Sequence, residues 1–163
     1  MESEGTDDFL AAEAGSKALI NDFPRLFKGQ APKAGIWLPD GWVALVRKLL
    51  IDLEAMLDDE QASRFRIGQI KSKFGRLRCY WSLEEGARRH VLRPHPGNSP
   101  ASPSMRLRSQ PVHPSALFQA IQARVDRAET DSGSTCEQCG AIDASTNDTG
   151  YLMTLCAACR ARR

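Results

Sequence analysis

The chain has no apolar run approaching the roughly 18 residues that a membrane-crossing helix needs. Its start, Met1-Glu2-Ser3-Glu4-Gly5, is acidic and lacks the charged-then-apolar pattern of a secretory signal. Neither a phosphate-binding glycine loop nor a dinucleotide fingerprint occurs. Histidine is scarce, and His90, His95 and His113 lie in or beside one proline-rich stretch rather than at ligand spacing on a helix face. They read as surface-loop histidines. No nucleophile, acid and base fall into a defensible constellation. These absences together predict a cytoplasmic protein that is not an enzyme and does not enter a membrane. No internal repeat is visible.

What is present begins with cysteine. Cys136-Glu137-Gln138-Cys139-Gly140 and Cys156-Ala157-Ala158-Cys159 form two CxxC pairs, with sixteen residues between Cys139 and Cys156. That is a zinc-site spacing. A tight knuckle at each pair points two sulfurs at one place, and two pairs complete a tetrahedron. Gly140 follows the first pair, where a knuckle often needs a left-handed backbone. Asn147-Asp148-Thr149-Gly150 signals a turn, and Tyr151 to Leu155 can form a strand, so a short hairpin between the pairs makes a zinc ribbon. Disulfides or a redox CxxC are the competing readings. The first lacks a secretory context and the second lacks a βαβ pattern. Four thiolates fill the tetrahedron and leave no position for water, which makes the expected Zn²⁺ structural. Arg160, Arg162 and Arg163 then serve partly as counter-charge. The fifth cysteine, Cys79, is expected on the inward face of a strand as a small apolar residue.

Charge is unevenly spread. Residues 1–60 carry 12 acids and 6 bases, residues 61–110 carry 2 and 11, and residues 111–163 carry 6 and 5. A basic middle between acidic ends suits a polyanion or an acidic protein as partner. The competing reading is internal complementarity, with basic strands lying on acidic helices.

Along the chain, residues 7–22 suggest a helix, and Phe23-Pro24 a break that docks Leu26 and Phe27 on the core. Residues 28–36 read as loop. The strongest helix is 41–59, with Asp40 as its expected N-cap. Trp42, Leu45, Val46, Leu49, Leu50, Leu53, Met56 and Leu57 make its apolar stripe. Residues 64–81 alternate in period two and predict a β-hairpin turning at Gly75. Phe65, Ile67, Leu77, Cys79 and Trp81 face the helix, whereas Arg64, Arg66, Arg76, Arg78 and Tyr80 face outward, with Lys71 and Lys73 near the turn. No acid occurs between Arg64 and Trp81. A basic stripe with an aromatic in it favours a phosphate backbone, although a solvated sheet face has the same composition. Residues 93–114 hold six of the nine prolines and predict a loop or linker. A helix is expected over 115–129, with Leu117, Phe118, Ile121, Val125 and Ala128 apolar.

Four segments carry a resemblance: Asp40-Gly41-Trp42, Gln69 through Tyr80, Cys136 to Gly140, and Thr154-Leu155-Cys156. Together they are similar to a set of uncharacterised small phage, prophage and bacterial zinc-ribbon proteins, over residues 40–81 and 116–159. The resemblance implies a helix, hairpin, helix and ribbon arrangement and a mobile-element setting. It implies no activity. The chain departs from the set in its proline-rich stretch and at Cys79, where an aromatic is more usual, and Cys159 rests on spacing alone.

The expected fold is α+β: an antiparallel hairpin or a small sheet extended by 88–92 and 105–108, covered by two main helices, with a C-terminal zinc ribbon. The divisions are 1–39 (helix and loop), 40–130 (core) and 131–163 (ribbon). The expected function is non-catalytic binding of nucleic acid, or of a nucleic-acid-handling protein, through the basic hairpin. The alternative is a protein inhibitor, such as an immunity protein against a bacterial toxin or a phage factor against a host defence component.

Overall fold

The computed structural model describes residues 14–85, 88–91, 115–148 and 150–163, with 85 and 88–91 described by backbone alone. Residues 7–13 of the helix expected over 7–22, the proline-rich stretch 93–114 and the strand at 105–108 therefore lie outside the described residues.

Residues 14–22 form α1. The chain breaks at Phe23, and α2 (Pro24–Phe27) is a single turn with proline at its start. It buries Leu26 and Phe27, as the sequence suggests. At the end of the expected 28–36 loop begins a two-residue strand, β1 (Ile36–Trp37). Periodicity could not have found it, because two residues show no alternation.

The strongest helix is shorter than expected. Asp40–Trp42 is a 3₁₀ turn, α3 is Val43–Met56, and a separate α4 covers Asp59–Arg64. Asp40 does not cap; its side chain makes no capping bond at this start. Asp58 does. It accepts from Gln61 N–H at 2.7 Å while Gln61 returns a bond to Asp58 N–H at 3.0 Å, a reciprocal box that starts α4. Trp42, Val46, Leu49, Leu50, Leu53 and Leu57 are buried on the predicted stripe. Each such side chain removes apolar area worth about 1.5–3 kcal/mol.

β2 (Phe65–Lys73) and β3 (Arg76–Glu85) form the hairpin, and β4 (Arg88–Val91) pairs antiparallel with the far end of β3. With β1 parallel to β2, the sheet order is β1-β2-β3-β4. Phe65, Ile67, Leu77, Cys79 and Trp81 all face the core, as predicted. Trp81 stacks on Phe65 and meets Phe118 of the second main helix, α5 (Ala116–Asp131). Ser115 caps α5 by accepting from Phe118 N–H at 3.0 Å. The inner face of the sheet is thus covered by α3 and α5, and one apolar cluster runs from Leu19 to Ala128. The fold is α+β. Among the described residues no helix is long and apolar enough to cross a membrane.

Candidate metal centre and the sheet face beside it

After α5 a 3₁₀ turn, Ser132–Ser134, leads into the first CxxC pair. The loop at Cys136 to Gly140 is a knuckle. Gly140 N–H donates to Cys136 O at 3.0 Å, and Gly140 has φ +78°. β5 (Ser145–Thr146) and β6 (Thr154–Leu155) make the intervening hairpin. The second pair is not a second knuckle. Cys156 caps α6 (Ala157–Ala161), its sulfur accepting from Cys159 N–H at 3.4 Å, so Cys156 and Cys159 are presented from a helix start. A CxxC segment does this readily because an N-cap and the third residue beyond it face the same way.

The sulfurs of Cys136, Cys139, Cys156 and Cys159 all lie within 4.8 Å of one another. Those of Cys139 and Cys156 are 3.6 Å apart, close to the edge of about 3.8 Å expected for a tetrahedron with Zn–S bonds of about 2.3 Å. Burial works against ionising Cys136, but backbone N–H groups of Cys156, Cys139 and Gln138 outweigh it and bring the thiol down to about 6. Cys139 moves up to about 12; Ala141 N–H favours its thiolate, but bonds shared with the other three sulfurs prevail. Four sulfurs this close cannot all ionise without a cation among them. Arg162 donates to the Cys159 sulfur at 3.2 Å, in the expected counter-charge role. Arg160 is instead spent on Ser145 and Leu155 oxygens. The cluster could hold a metal ion, and an all-thiolate tetrahedral donor set fits Zn²⁺.

The sequence does not announce how tightly this module is seated. Gly41 N–H donates to Glu137 O at 2.9 Å, and a Cβ on Gly41 would lie 2.2 Å from Cys136 O. The buried Trp42 indole donates to Thr135 O at 2.8 Å. Glu137, only 4% exposed, accepts from Thr154 N–H at 2.8 Å and from the Ser72 hydroxyl at 3.3 Å. Burial raises its carboxyl above the usual range, against the pull of those donors and of Arg163. Thr154 Oγ1 donates to Gly75 O at 2.6 Å, at the hairpin tip. Gly41-Trp42, Ser72, Gly75, the knuckle and Thr154 therefore meet in one place.

The basic residues divide into two groups. Arg64 belongs to α4 rather than to the strand and pairs with Glu60 at 2.8 Å. Arg66 turns back on Ser63 and Phe65 carbonyls. Arg78 pairs with Glu129 of α5 at 3.0 Å, and the same carboxylate caps the Cys79 N–H at 3.0 Å. Ser132 caps Leu77 N–H at 2.9 Å, so this open edge of β3 is covered by side chains. Arg76 lies against Gly133. That much favours internal complementarity. Lys71 and Lys73 have no carboxylate partner among the described residues; they sit 5.3 Å from the Tyr80 and Phe74 ring centroids.

A bulge sets their direction. Strict alternation from Phe65 and Ile67 would turn Lys71 and Lys73 inward. The register slips between Ile67 and Gln69, at Gly68, after which Ile70 pairs with Cys79 in the core and Lys71 pairs with Arg78 outside. Lys73 pairs with Arg76, Gln69 with Tyr80, and Trp37 with Lys71. Trp37, Lys71, Lys73, Arg76, Arg78 and Tyr80 thus share the outer face. An isolated glycine in a strand is the signal that could have revealed this. Cys79 is buried, and burial, followed by the Glu129 charge, pushes its thiol up to about 12. It is a packing residue.

His90 is described by backbone only, and His95 and His113 lie outside the described residues. Compared with protein-family models, with curated proteins and with solved structures, the chain matches none. The molecule defined by these observations is a small α+β protein with a four-cysteine candidate metal site. Of the motif residues, the four cysteines are seen assembled into a cluster that could hold a metal ion.

Proposed function

We propose that this is a non-catalytic protein, clasped by one structural Zn²⁺, that binds single-stranded nucleic acid on the outer face of its sheet. The observation that carries the reading is the register. The bulge at Gly68 turns Lys71 and Lys73 onto the face that carries Trp37 and Tyr80. No acid occupies that face on β1, on β2, or on β3 from Arg76 to Ser82. Trp37 is 57% exposed, and its indole is steadied by a bond to Ala34 O at 3.2 Å. Flat aromatic surface interleaved with ammonium groups suits splayed bases and a phosphate backbone. Four cysteine ligands leave a zinc ion no open position, which supports a structural role for the metal.

The test is fluorescence anisotropy with labelled single strands and a duplex control. Single-strand binding should weaken steeply with salt. The pair Lys71→Glu and Lys73→Glu should weaken it at least about tenfold, since each lost phosphate contact carries part of the electrostatic term. Arg78 is the wrong probe, because reversing it would put like charge beside Glu129. No binding of any single strand at about 50 mM salt would sink the reading.

A further inference from the structure

Phe74 occupies a position that favours other residues. The Phe74–Gly75 turn places both residues at positive φ, 55° and 68°. That is the two-residue geometry in which Asn, Asp or Gly is favoured first. A bulky side chain there crowds its own backbone. Burial does not compensate, because the ring is 68% exposed. Its neighbour is the Lys73 ammonium, 5.3 Å from the centroid. Neither turn chemistry nor core packing accounts for phenylalanine.

Strained residues persist where their surroundings over-determine them. Here the C-terminal module does so. Thr154 Oγ1 holds Gly75 O at 2.6 Å, and Thr146 packs so close that a Cβ on Gly75 would lie 2.7 Å from its methyl. The Lys73–Arg76 pair closes the strands behind the turn. The tip is clamped from below, and the ring stands outside at the end of the face that carries Lys71, Lys73 and Arg76.

We infer that Phe74 is a base-stacking residue that extends the single-strand face past the hairpin tip. This rests on the nucleic-acid reading above. An unpaired nucleotide offers the matching chemistry: its base lies on the ring and its phosphate meets the Lys73 ammonium. Every base has a π-face, so the contact is indifferent to sequence.

The experiment pairs two readouts, thermal melting and anisotropy with a single strand of roughly 12 nucleotides. Phe74→Asn relieves the turn and should raise the melting temperature by roughly 2–4 °C. The same change should weaken binding about tenfold. Phe74→Trp should bind within about twofold of the natural chain, since the larger ring stacks as well. If the natural chain binds and Phe74→Asn binds equally tightly, the stacking role is overturned while the sheet-face reading stands. A lower melting temperature for Phe74→Asn marks the ring as structural and overturns the inference too. If the natural chain binds no single strand at about 50 mM salt, both readings fall together.

Discussion

Glu137 shows how one side chain can join two parts of a molecule. Its backbone pairs with Thr154 on one side and Gly41 on the other, while its carboxylate takes Thr154 N–H and the Ser72 hydroxyl. Truncation removes an acceptor from a buried donor, which costs about 1–3 kcal/mol. Glu137→Ala should therefore lower the melting temperature, by roughly 2–4 °C for each kcal/mol lost. Glu137→Gln keeps an acceptor and sheds the burial penalty of the charge, so it should lose less than the alanine variant. Equal losses in a denaturant titration would show that the charge itself, and not the acceptor, is needed. In the sequence Glu137 is simply one of two residues inside a CxxC pair; nothing local marks it, because its partners lie 17 and 65 positions away.

At the scale of elements, the knuckle and its seat form one joint. Gly41 has no room for a side chain, since its Cβ would collide with Cys136 O, a backbone atom that cannot swing aside. Gly41→Ala should cost about 3 kcal/mol. Gly150 makes a useful control: its φ is +70° but nothing among the described residues lies within 4 Å of an added Cβ, so Gly150→Ala should cost about 1 kcal/mol. Urea midpoints of the two variants separate steric from conformational cost. These elements were unequally legible. The α3 stripe and the inward set from Phe65 to Trp81 follow from periodicity, which is a local property. The cysteine spacing likewise reports a local geometry. The outward turn of Lys71 and Lys73 depends on one extra residue at Gly68, and strict alternation misses it. The pairing of Arg78 with Glu129 depends on α5 reaching the β3 edge, 51 positions away. Asp40 has the composition of a cap, but the 3₁₀ turn at that start places Gly41 N–H on Glu137 O instead.

For the whole molecule, the contacts at Gly41, Trp42, Ser72 and Gly75 predict that the C-terminal module does not melt on its own. Metal analysis should find one zinc per chain, and chelation should lower the temperature of a single unfolding transition rather than remove an early one. Two separate transitions, with the later one unmoved by chelator, would contradict this. The net charge near zero conceals a similar economy. Acid and base from distant segments meet at Arg78–Glu129 and Arg47–Asp22, whereas the ammonium groups of Lys71 and Lys73, with no carboxylate partner among the described residues, lie by aromatic rings on the outer sheet face.

The bond from the Trp42 indole to Thr135 O spans 93 positions. On the ribosome, at about 5–20 residues per second, roughly 5–20 s separate the synthesis of its two ends. Throughout that interval the 3₁₀ turn before α3 has no carbonyl for its buried indole, and the hairpin tip has no clamp. The nascent core therefore waits, incompletely sealed, for the cysteines that complete it.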